Sequence, residues 1–195
     1  MTAPDAPTPN HDDIAALVPA AAAADSHAVG TLLGRLRPMI VSYCRGRLGR
    51  GSGHPTADDI AQDVLLAAFR ALPRFGHAPE TFLPYTMGIA RNKIADAFRK
   101  APRDSHVPLE WAADEAVAES TPEAAALDRE RRDHLAALLA ELTPAQREIL
   151  TLRLLVGLTP AETAEVIGST PGAVRVGQHR ALNALRRRLR ETRCA

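Results

Sequence analysis

The chain has 195 residues, room for one or two small domains, with 46% hydrophobic but only 4% aromatic residues. Much of the apolar share is alanine, which favours helices, and no run of alternating β-branched residues argues for a substantial sheet. The net charge of +1 conceals a split, because residues 1 to 30 hold no lysine or arginine whereas 171 to 195 hold seven arginines against one acid.

Cys44 and Cys194 are far apart and match no metal spacing, which points to a reduced, cytoplasmic protein. No stretch approaches 18 apolar residues, and no basic region precedes the alanine-rich N-terminal run, so neither membrane insertion nor a signal peptide is expected. The seven histidines are scattered. Without a phosphate-cradling glycine loop or a nucleophile beside a base, the expectation is no metal, no cofactor and no enzyme.

In chain order, residues 1 to 23 form an N-terminal tail, disordered to about residue 12 by its prolines and helical over about 13 to 23. A helix begins near Asp25-Ser26 with Leu32, Leu36, Met39, Ile40, Tyr43 and Leu48 on one side. Pro38 should kink or interrupt it near Arg37. After a loop from Gly49 to Pro55, Thr56 caps a helix whose first turn carries Asp58 and Asp59. Ile60, Val64, Ala68 and Leu72 give its buried stripe, and Asp59, Gln62, Asp63 and Leu66 lie off it, exposed. Pro73 ends it.

Arg74 to Pro84 reads as a loop and Tyr85 to Lys100 as a helix. Phe75, Phe82, Tyr85, Arg91, Asn92 and Lys93 interleave rings with polar and cationic groups. Rings can receive an unstacked base while cations hold the backbone of a single strand; the competing reading places Phe82 and Tyr85 in the core. Residues 102 to 121 read as an acidic linker, with Trp111 as its exception. Helices are expected from Thr121 to about Leu142 and from Thr143-Pro144 to Gly157.

Thr159-Pro160-Ala161-Glu162 is a helix start with a reciprocal cap, and Gly168 suits the left-handed residue that ends the helix. Thr170-Pro171 starts another at once. Ala164 lets the two cross closely and Val174 plugs their angle, the layout of a helix-turn-helix. The second helix has Val174, Ala181, Leu182, Leu185 and Leu189 on its apolar side. Its arginines suit phosphates and base edges in a major groove, or simply a solvated face.

Together these segments resemble the extracytoplasmic-function (ECF) branch of bacterial RNA polymerase sigma factors. The resemblance rests on DDIAQDVLLAAFRALPRF (58–75), FLPYTMGIARNKIADAFRK (82–100) and LTPAQREILTLRLLVGLTPAETAEVIGSTPGAVRVGQHRALNALRRRL (142–189), in that order. It implies an all-α fold of two small helical domains, a region 2-like bundle (24–101) and a region 4-like helix-turn-helix domain (122–195), joined by the flexible acidic linker 102–121.

By this resemblance Asp58, Asp59, Gln62, Asp63 and Leu66 meet the β′ clamp helices of core RNA polymerase, though the acids also read as helix caps. Phe75 to Pro84 hold a flipped minus-ten base, and Phe75, Phe82, Tyr85, Arg91, Asn92 and Lys93 bind or melt minus-ten promoter DNA. Arg153, Arg175, Val176, Gly177, His179 and Arg180 face the minus-thirty-five element. The first half of the second domain, with Gln146 and Arg147, meets the β flap, and an anti-sigma factor is a further family partner. Tyr85 stands where the family usually has tryptophan, and Val176-Gly177 where it usually has a Ser-Arg pair.

Two alternatives remain open at the level of sequence. One is a helix-turn-helix regulator unconnected with core polymerase, which leaves 58–100 unexplained. The other is a sigma mimic that sequesters an anti-sigma factor, which need not keep Arg91, Asn92, Lys93, Arg175 and Arg180.

Overall fold

The computed structural model describes residues 11–48, 55–100, 138–139 and 142–194. Among them every regular element is helical. The acidic linker, Trp111 and most of the helix expected before Leu142 lie outside the described residues.

Helix α1 spans His11–Ala22 and buries Ile14, Val18 and Ala21. The stretch read as part of a tail therefore supplies core. Ala24, at φ 65°, reverses the chain, and Asp25 Oδ1 accepts the Ala28 amide at 2.8 Å to start the next helix.

Helix α2, Ser26–Leu48, continues through Pro38, so the chain is not interrupted there. Buried side chains on both sides of the proline, Leu32 and Leu36 before it and Met39, Ile40 and Tyr43 after it, keep the helix in register. Packing of an amphipathic face outweighs one lost backbone bond.

Helix α3, Ala57–Ala71, starts with a capping box between Thr56 and Asp59. It buries Ile60, Val64 and Ala68, as the periodicity requires. Two 3-10 turns, Leu72–Phe75 and Pro79–Thr81, follow. Helix α4 is Phe82–Lys100. It begins three residues before the sequence-based boundary, because Pro84 falls in its first turn, where a missing N–H breaks no bond.

In the second half, α5 (Pro144–Leu150) has the expected capping box from Thr143 and Gln146. It widens into a π-helical turn over Thr151–Leu155, and Gly157, at φ 84°, lets the chain turn away. Helix α6 (Pro160–Ile167) carries the Thr159–Glu162 capping box and ends at left-handed Gly168. Helix α7 (Pro171–Cys194) follows, started by Thr170, whose Oγ1 accepts the Ala173 amide at 3.2 Å. Ala164, Val174 and Ile149 form the small core that fixes the angle between α6 and α7. Leu189, expected on the apolar side of α7, is exposed. Beyond Leu185 this helix has no described core residue to cover it.

The halves pack together. Leu152, Val156, Leu158 and Val166 belong to the same hydrophobic cluster as α1 to α4, with α6 laid against α4. Two small cores, each near the lower limit for independent stability, gain a shared one.

Candidate nucleic-acid interface

Helix α3 presents its polar side as expected, with Asp58, Asp59, Gln62, Asp63 and Leu66 all exposed. The acids are nevertheless engaged within the chain. Asp59 Oδ2 accepts the Thr56 amide at 3.0 Å, the capping role. Asp58 meets Arg45 at 3.2 Å and Asp63 meets Lys93 at 2.8 Å. Leu66 and Phe69, at 47% and 46% exposure, stand beside them on a helix whose other face is buried. Phe69, absent from the residues expected at this surface, stands three residues from Leu66, the spacing that places both on one helical face.

Three rings gather where the 3-10 turns meet α4. Phe75 packs edge-on against Phe82 at 5.3 Å and tilted against Tyr85 at 4.9 Å. Their exposures separate them: Phe82 is wholly buried and Tyr85 is 38% exposed, with Phe75 half-buried. Phe82, expected to meet a base, is instead covered, as the competing core reading has it, and lies against Phe75. Thr86, also buried, returns its hydroxyl to the Phe82 carbonyl at 2.9 Å and leaves the underside of the cluster apolar.

Tyr85 and Asn92 are seven residues apart, about 10 Å along one helical face. Asn92 is exposed, and Arg91 and Lys93 beside it are half-buried. Both cations have internal partners. Lys93 Nζ reaches Asp63, joining the acidic side of α3 to the basic side of α4. A cleft of about 250 Å³ between these helices is lined by Asp59, Asp63, Lys93, Asp96 and Lys100. Arg91 Nε lies 3.3 Å from Glu148 Oε1 without hydrogen-bond alignment.

On α7, Arg175, Val176, His179 and Arg180 are exposed and project from the first three turns. His179 meets Asn183 at 2.9 Å, and Asn183 in turn accepts Arg186 at 3.2 Å, a polar row down one side of the helix. Gly177 faces inward. A Cβ built there would stand 2.6 Å from Ile149 Cδ1, so Gly177 allows the close approach of α7 to α5 and offers nothing to a base. Arg153 is likewise turned to the scaffold. It donates Nε to Gln178 at 3.1 Å and a terminal nitrogen to the Leu158 carbonyl. Both residues support the exposed face of α7 from beneath.

Among the described residues no group of histidines, cysteines and carboxylates could hold a metal, and no helix is long and apolar enough to cross a membrane. Burial pushes the Cys44 thiol up to about 12.

This combination defines a two-part nucleic-acid-binding protein: a ring-and-cation surface on one helical bundle and a helix-turn-helix on the other. Residues 32–103 match the Sigma-70 region 2 family and residues 132–185 match Sigma-70, region 4. The chain is 44% identical over 173 residues to the ECF RNA polymerase sigma factor SigD of Mycobacterium tuberculosis, covering 88% of this chain and 81% of that one. It is 40% identical over 178 residues to the ECF RNA polymerase sigma factor ShbA of Streptomyces griseus, covering 89% and 93%. The structure of CnrH in complex with the cytosolic domain of CnrY superposes with a TM-score of 0.61 at 25% identity, over 91% of this chain and 97% of that one. The chain belongs to the ECF RNA polymerase sigma factor family. It directs RNA polymerase to promoters for the initiation of transcription. A free-standing helix-turn-helix regulator is set aside by the region 2 match.

Proposed function

We propose a division of labour between the two halves. The exposed side of α3, with Gln62, Leu66 and the acids around them, docks on the β′ clamp helices of core RNA polymerase. Phe75 and Tyr85 receive an unstacked base at the upstream end of the minus-ten element. Arg91, Asn92 and Lys93 hold the strand from which it came. Arg175, Val176, His179 and Arg180 lie in the major groove of the minus-thirty-five element. There Val176 can favour a thymine methyl, and the flanking arginines neutralise phosphates. Gln146 and Arg147 at the start of the second half meet the β flap.

The observation that carries this reading is the Phe75–Tyr85 pair. An accessible ring braced by a half-buried one, which packs in turn on the buried Phe82, is a stacking platform, and Asn92 continues its face. Tyrosine stacks as tryptophan does, so the departure from the family's usual residue preserves the chemistry. An anti-sigma factor is a further partner on the family resemblance. That CnrH was solved bound to the cytosolic domain of CnrY supports a protein partner for a chain of this fold. The work is cytoplasmic and non-enzymatic, because the chemistry belongs to the polymerase.

Reconstitution with core polymerase tests the reading. The chain is expected to co-elute with core in the absence of DNA and to direct runoff transcription from promoters selected out of a random library. Co-elution without promoter-directed transcripts would refute the DNA assignments.

A further inference from the structure

Glu148, on α5 in the second half, is 7% exposed. Among the described residues its carboxylate is held by side chains of the first half. Tyr43 donates its hydroxyl to Oε1 at 3.0 Å and Arg47 donates to Oε2 at 3.1 Å. Arg91 Nε stands 3.3 Å from Oε1. A buried carboxylate is tolerated only with partners of this kind, and removing them leaves an uncompensated charge. Burial and the neighbouring carboxylate hold the Tyr43 phenol well above its ordinary range, so it remains a donor. Leu152, Val156, Leu158 and Val166 add apolar contacts between the same two halves. His11 Nε2, on α1, lies 3.1 Å from Glu162 Oε1, on α6.

The packed arrangement does not suit promoter binding. Elements at minus ten and minus thirty-five are separated by roughly 25 base pairs, about 85 Å of duplex at about 35 Å per turn. A compact chain of this length has a radius of gyration of about 16 Å. The halves must part before both elements can be read, and the contact that joins them also occupies Arg91, a cation assigned to the minus-ten strand.

We propose that Glu148 is the latch of an autoinhibited free state: its carboxylate ties α5 to Tyr43, Arg47 and Arg91, closing the two halves on each other and masking Arg91 until core polymerase draws them apart. The inhibitory role rests on the sigma-factor reading above. The latch itself does not. Closure lowers apparent affinity by the fraction of open molecules, so about one open chain in ten weakens core binding about tenfold.

Small-angle scattering of the full chain, wild type against Glu148→Gln and Tyr43→Phe, reads the latch without any partner. Stopped-flow association with core RNA polymerase reads its consequence. Glu148→Gln is expected to raise the radius of gyration and to associate with core about tenfold faster, with a smaller gain for Tyr43→Phe. Circular dichroism identifies a variant that has lost its helices, and the other variant then decides. An unchanged radius in the folded variants overturns the latch. Expanded variants that associate no faster than wild type overturn its inhibitory role. Failure of every form, wild type included, to bind core overturns the sigma reading and leaves the latch to be judged by scattering alone.

Discussion

The rings of Phe75 and Tyr85 lie 4.9 Å apart and tilted by 45°, the first from a 3-10 turn and the second from the first turn of α4. Tyr85 keeps over a third of its surface in solvent, whereas Phe82, the third ring of the cluster, keeps none. Position in the helix turn separates the two roles: residues three apart at a helix start point to adjacent sectors, one toward the core and one across its rim.

Tyr85→Ala should therefore leave closed-complex formation intact and impair opening, with permanganate reactivity of minus-ten thymines reduced by about tenfold, the loss of one stacked base at about 1–3 kcal/mol. Tyr85→Trp should retain reactivity. Phe82→Ala should act differently, lowering stability by about 3–5 kcal/mol as a buried ring is removed, visible as a lower urea midpoint.

At Gly177 an added Cβ would collide with Ile149 Cδ1. In mid-helix, glycine to alanine gains up to about 1 kcal/mol, and overpacking costs about 1–3 kcal/mol. Gly177→Ala alone should be neutral to destabilising. In an Ile149→Val background, which removes the colliding methyl, the same change should stabilise. A double-mutant cycle by urea denaturation reads the change of sign.

Leu66 is exposed on a helix whose other face is fully used. Leu66→Glu should shift stability by no more than about 0.5 kcal/mol, as surface changes do, while weakening association with core polymerase at least tenfold. Equal loss of stability and binding would place Leu66 in the fold rather than the interface.

The Cys44 thiol, raised from 9.0 to about 12 by burial first and by the charge of Asp58 second, predicts a pH effect. Below about pH 9 both folded and unfolded chains keep the proton. Between 9 and 12 the unfolded chain releases it and the folded chain holds it, so this contribution to stability falls as pH rises. Urea midpoints of wild type should drop more between about pH 8 and about pH 10.5 than those of Cys44→Ala. The native thiol should also resist alkylation.

Local signals were the most legible part of the sequence. The Thr56 cap, the Thr-x-x-Glu box at Thr159, the left-handed Gly168 and the Ala164–Val174 packing all read directly from neighbouring residues. What failed depended on partners far along the chain. Pro38 sits in an intact helix because side chains on both sides of it share one core. Phe82 and Tyr85 look alike in sequence, and only the turn that precedes α4 decides which is covered. Glu148 carried no local mark at all, since Tyr43, Arg47 and Arg91 lie 105, 101 and 57 residues before it. The contacts of Gly177 with Ile149 and of Arg153 with Gln178 likewise join residues well apart in the chain and had no local signal.

The most direct test of the division of labour is site-specific photo-crosslinking of the reconstituted open complex. A photoreactive residue replaces Tyr85 in one preparation and Arg175 in another. The probe at 85 should attach to unpaired bases of the minus-ten element and the probe at 175 to the paired minus-thirty-five element. Attachment of the first to duplex DNA, or of the second to the melted strand, would contradict that division.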